Sequence, residues 1–82
     1  MANAHRTEID RNYDFFQRNL NRFLVDHEGA YALLRNAEVV DYFGRVGDAY
    51  RAGIKKFPDR LFSIQLVTKE PVELGNWSVA LV

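Results

Sequence analysis

An imidazole flanked by two carboxylates, Asp26-His27-Glu28, is the one place in this chain where groups suited to acid–base chemistry stand together. Hydrolysis by such a set needs a nucleophile held against the imidazole, and no residue of the sequence is identifiable in that role. Consecutive residues at a helix end point in different directions, and an imidazole beside a helix C-terminus gains from the dipole without doing any chemistry. A minimal hydrolase built on His27 and Glu28 is therefore the weakest of three readings of function. The second histidine, His5, falls in an N-terminal segment, residues 1–7, expected to fray. Cysteine is absent, so a thiolate zinc site, an iron–sulfur cluster, a cysteine nucleophile and a disulfide framework are all excluded. Two histidines without a thiol would need added carboxylates to hold a transition metal, and the spacing gathers none. The expectation is a chain with no catalytic residue, no cofactor and no metal.

Gly44-Arg45-Val46-Gly47-Asp48 superficially resembles a phosphate loop, yet it matches neither the dinucleotide fingerprint nor a P-loop with its lysine. The plain reading is a glycine-assisted turn from strand to helix. The functional one is an anion site of Gly44, Arg45 and Gly47 at the helix N-terminus, which makes a small-ligand or anion-binding protein the second reading. Lys55, Lys56 and Arg60 suit the negative end of a helix dipole, and Arg11, Arg18 and Arg22 are interleaved with Asp10, Asp14 and Asp26. Both groups read as solvated faces.

The 82 residues, 48% apolar and 27% charged, fit one ordinary domain. A chain this short buries only about 60% of its extended surface. Eleven basic residues balance eleven acidic ones, well short of the basic footprint that phosphate-backbone binding requires, so no nucleic-acid partner is expected. No apolar run approaches the ~18 residues of a membrane span, and the first ten residues lack a signal-peptide core. The expected compartment is cytoplasmic, with no membrane partner.

The elements that must position these residues begin with Ile9, Tyr13, Phe16, Leu20, Phe23 and Leu24, one helical stripe. Thr7 is its expected N-cap and Gly29 its left-handed stop after His27. Ala30 to Arg35 and Glu38 to Phe43 form a hairpin about Asn36-Ala37. With Asn36 and Ala37 as the central turn residues, the register sets Arg35 opposite Glu38, Leu33 opposite Val40 and Tyr31 opposite Tyr42 on one face, with Leu34–Val39 and Ala32–Asp41 on the other. A turn one residue longer is the alternative, because alanine is less comfortable than glycine at positive φ. Val46, Ala49, Tyr50, Gly53, Ile54 and Phe57 mark a second helix ended by Pro58, in which Gly53 signals close approach to a neighbouring backbone. Leu61 to Val67 alternates as a half-exposed strand, with Ser63 and Gln65 toward water.

The expected fold is α+β: helix, hairpin, helix and strand, an antiparallel sheet of order 2-1-3, and both helices on one face. Residues 68–82 form a C-terminal extension, a candidate fourth strand at the edge or exchanged with a partner. The bare sheet face, the off-stripe Phe15 and Val25, and the apolar residues after Gly75 leave a surplus of apolar surface. Phe15, Leu34, Val39, Trp77, Val79 and Leu81 are the candidate interface. The leading reading is a non-enzymatic protein-interaction module that pairs as a homodimer.

Tyr13-Asp14-Phe15-Phe16, Asn19-Leu20 and His27 to Leu34, with Val39-Val40, Ala49-Tyr50 through Phe57, and Leu61 to Gln65, resemble a group of short bacterial proteins assigned to domains of unknown function. The likeness spans roughly residues 11 to 75 and rests on folding signals; the tail after Gly75 departs from it. It implies a small bacterial accessory protein that works beside a larger one, and it maps no catalytic residue.

Overall fold

The computed structural model describes residues 4–69 and the backbone of Asn76 and Trp77. Helices α1 (Ala4–Arg18) and α2 (Leu20–His27) lead to strands β1 (Tyr31–Arg35) and β2 (Glu38–Phe43). Helix α3 (Val46–Lys56), strand β3 (Ser63–Leu66) and the two-residue β4 (Asn76–Trp77) follow. The sheet order is β2-β1-β3-β4, antiparallel throughout. The α+β class and the 2-1-3 order of the first three strands are as expected.

The helices, however, lie on opposite faces of the sheet. Phe16 and Phe23 of α1 and α2 pack on Ala32, Leu34 and Val67, while Ala49 of α3 packs on Leu33, Phe62 and Ile64. The cause is β1 itself. Ala32, Leu33 and Leu34 are consecutive, apolar and fully buried, and successive strand residues point to opposite faces, so both faces must be covered. Among the described residues no bare sheet face is left. Ser63 and Gln65, expected in water, are buried too.

The leading helix starts at Ala4, ahead of the expected Thr7 cap, and breaks at Asn19. The Asn19 Nδ2 donates to the Phe15 carbonyl at 2.9 Å, and the Asn19 backbone N–H is shared between the Phe15 and Phe16 carbonyls. A side chain that competes for the helical ladder in this way bends it. Phe16 and Phe23 then stack at 5.4 Å on the same sheet face. The buried line of α1 runs through Glu8, Asn12 and Phe16, and Tyr13, expected in the stripe, is exposed.

Gly29 has φ +89°, as its place after α2 requires, and Asn36 and Ala37 have φ 57° and 61°, the pattern of a two-residue primed turn. Alanine pays for that left-handed geometry where glycine does not. Ala37→Gly is expected to raise stability by about 1 kcal/mol, read as a higher denaturant midpoint with unchanged slope.

Beyond the turn, Arg35↔Glu38 and Leu34↔Val39 pair as expected, and then a β-bulge intervenes. The next pairs are Leu33↔Asp41, Ala32↔Tyr42 and Tyr31↔Phe43, which replace the expected Leu33–Val40, Ala32–Asp41 and Tyr31–Tyr42. One extra residue in β2 exchanges the faces of everything after it. Tyr42 thereby joins the α1–α2 side of the core and Phe43 the α3 side.

Candidate functional site

Two polar groupings and one helix terminus are where chemistry could reside. The first joins α1 to the hairpin turn. Glu8 and Asn12, one helical turn apart, are both buried. Asn12 Nδ2 lies 3.0 Å from Glu8 Oε2, 3.0 Å from Ser63 Oγ and 3.2 Å from the Leu34 carbonyl. Asn12 Oδ1 accepts the Ala37 N–H at 2.7 Å, and Glu8 Oε2 accepts the Asn36 N–H at 2.6 Å. The strained turn thus has its amides bound by two α1 side chains, and Asn12 also reaches Leu34 of β1 and Ser63 of β3. Hydrogen-bonded and shut from solvent, these groups position structure; they offer no access to a substrate.

The second grouping lies where α2 meets β2. The His27 ring stacks face to face on Tyr42, centroids 3.6 Å apart and planes within 5°, and Phe23 meets Tyr42 edge-on at 6.3 Å. Burial raises the Tyr42 phenol above its ordinary range; the nearby Arg22 lowers it and Asp26 raises it. Stacking explains the position of His27, and among the described residues its ring makes no hydrogen bond to a hydroxyl nucleophile. His5 lies against the carbonyl of Asp59 at 3.3 Å, far along the chain from His27. The two histidines therefore belong to separate places, and among the described residues no cluster of His, Asp and Glu could hold a metal ion.

At the start of α3, Arg45 is the N-cap residue and makes no side-chain cap. Gly44 leaves open space, and a Cβ at Gly47 would meet Arg51 Nη1 at 3.7 Å, an ordinary contact. Asp48 stands in the first turn and pairs with Arg51. The helix N-terminus, where the dipole favours negative charge, therefore already has a carboxylate of its own.

The candidate interface residues are scattered by the two-sided sheet. Leu34 is at the centre of the core and Val39 packs against it; Phe15 packs there as well, its ring 6.0 Å from Phe23. None of the three forms an open face. Val25, off the stripe, is 78% exposed. The Trp77 backbone pairs opposite Ile64, while its side chain, Val79 and Leu81 lie outside the described residues. After α3, Arg35 sits 4.6 Å over the Phe57 ring and binds Asp59 at 2.9 Å and the Leu61 carbonyl at 3.1 Å. The Leu61 N–H, followed by Arg35, holds the Asp59 carboxyl below its ordinary range.

Asn12 is the residue that sequence reasoning passed over. Asn12 had a signal, since it lies three residues after Ile9 and four before Phe16, inside the apolar stripe. No family model matches the chain, and no curated protein or solved structure matches it either. Among the described residues no helix is long and apolar enough to cross a membrane.

Proposed function

We propose that this chain is a non-enzymatic protein-interaction module that pairs with a second copy of itself through the β4 edge of its sheet, as an accessory to a larger bacterial protein. The observation that carries the proposal is the addition of Asn76 and Trp77 to the outer side of β3. In the sequence they are followed by Ser78-Val79-Ala80-Leu81-Val82, a segment rich in strand-forming residues. Antiparallel pairing of two such edges about a twofold axis would lengthen both ladders at once. Among the described residues both sheet faces are covered by helices, and Phe15, Leu34 and Val39 are packed in the core, so of the candidate interface residues Trp77, Val79 and Leu81, at or following β4 in the sequence, remain. The anion-binding alternative loses ground to Asp48, whose carboxylate in the first turn of α3 brings negative charge to the helix end that would have to attract the anion.

Solution mass measured by light scattering behind size exclusion tests the reading. About twice the 9.5 kDa of one chain is expected, falling to one chain in the double variant Val79→Lys, Leu81→Lys with helicity unchanged. A wild-type chain that stays at single mass at high concentration would overturn self-association, and an unchanged mass in the double variant would overturn the β4 edge.

A further inference from the structure

The opposite edge of the sheet is β2, six residues long with Glu38, Val40 and Asp41 exposed. A strand in this place presents a row of backbone donors and acceptors to any other chain. Two features interrupt the row. The bulge puts an extra residue at the middle of β2, between its Leu34 and Leu33 partners, and a bulge twists an edge out of the line a docking strand would follow. Next to it, the Tyr42 N–H donates to the carboxylate of Asp41 at 2.7 Å, in a solvent-exposed hydrogen bond. That amide is satisfied by its own neighbour.

We infer that Asp41 is an edge guard: its carboxylate, at the bulge, occupies the Tyr42 amide and closes β2 to strand addition by another copy of this chain. The placement has a consequence for assembly. With β2 and β4 at opposite ends of one sheet, an open β2 could accept a strand from the far edge of the next copy. Such head-to-tail contact does not close on itself and grows into open runs. A carboxylate does this work better than an apolar strand former, because it supplies the acceptor and also brings a charge that an incoming strand would have to desolvate. The inference does not depend on how β4 pairs, since it concerns the change in association when the guard is removed.

The test compares Asp41→Ala, which has no acceptor, with Asp41→Asn, which keeps one at the same distance from the backbone. The alanine chain is expected to show a mass that climbs with concentration to at least double that of the wild type, while the asparagine chain follows the wild type. Asp41→Val, a good strand former without an acceptor, serves if the alanine chain loses its far-ultraviolet signature. Equal mass in wild type and acceptor-free variants would overturn the guard, as would association of the asparagine and alanine chains to the same degree. Amide exchange in the wild-type chain gives a reading independent of any variant. The Tyr42 amide is expected to exchange more slowly than an unprotected amide, and exchange at the unprotected rate would also overturn the assignment.

Discussion

Asn12→Leu is expected to lower stability by about 3 kcal/mol or more, since each buried polar group left without a partner costs about 1–3 kcal/mol. The change strands several groups together. Ser63 Oγ and Glu8 Oε2 lose the amide that lies between them, and the Ala37 N–H loses its acceptor in a turn that already has two residues at positive φ. Leucine fills the space and supplies apolar area, worth about 2 kcal/mol when fully buried, so the balance depends on the orphaned groups, and there are enough of them to prevail. Against a typical reserve of about 5–15 kcal/mol, the loss should be plain in guanidinium unfolding followed by circular dichroism. Amide exchange locates it, because the Asn36 and Ala37 amides should lose protection before the rest of the sheet. Asn12→Asp makes the electrostatic case. It keeps the shape, removes both donors and places a second carboxyl beside that of Glu8. Two carboxylates in one buried place disfavour double ionisation and raise the introduced group's pKa. A raised pKa contributes stability that is present at low pH and lost as pH rises through the folded-state value. The aspartate variant should therefore be weaker than the wild type at neutral pH and approach it as the solution is acidified. Equal stability of Asn12→Leu and wild type would mean that the cluster is not what ties α1 to the hairpin.

The features legible in the sequence are those decided by neighbours along the chain. Gly29 ends α2, Asn36-Ala37 makes the turn, Pro58 closes the region after α3, and the strand order follows from a hairpin plus a crossover long enough for a helix. Contacts between elements were harder to read. Leu33-Leu34 as a continuous apolar pair signalled a strand covered on both faces, but the alternation of Ser63 and Gln65 pointed the other way. Asn12, which hydrogen-bonds Ser63, shows why Ser63 can be buried. The bulge depended on a balance no local rule gives. Without it Tyr42 would share the Leu33 face and His27 would lack its stacking partner. Of the candidate site, the histidine–carboxylate run was readily seen and had a structural cause. Asn12 is hard to see in the sequence because a polar residue inside an apolar stripe gives no sign of the partners on β1, β3 and the turn that satisfy it. Leu34 was misplaced with the bare face, and aspartates there or at Val39 would disturb the core before they tested any interface.

Gly53→Ala is expected to destabilise the chain even though alanine is the better helix former. In an open helix the exchange gains about 1 kcal/mol. At this position a Cβ would fall within 2.8 Å of three carbons of the Phe62 ring. The close approach inferred from the sequence is to this aromatic ring and not, as expected there, to a neighbouring backbone. Phe62 is itself fully buried, with Phe57 tilted against it at 6.2 Å, so its ring has no solvent side to swing into. Overpacking of this kind costs about 1–3 kcal/mol, and in so small a domain a net loss near 1 kcal/mol moves the melting midpoint down by about 4–8 °C. Gly47→Ala is the control on the same helix. Its nearest neighbour is the guanidinium of Arg51 at 3.7 Å, an ordinary contact, so a propensity gain of up to about 1 kcal/mol should appear as a rise in midpoint. Trimming the obstructing ring completes the argument. Phe62→Leu alone opens a cavity and lowers stability, but combined with Gly53→Ala the two changes share one space and should cost less than their sum. Strict additivity would show that the glycine is required for some reason other than the ring that lies on it.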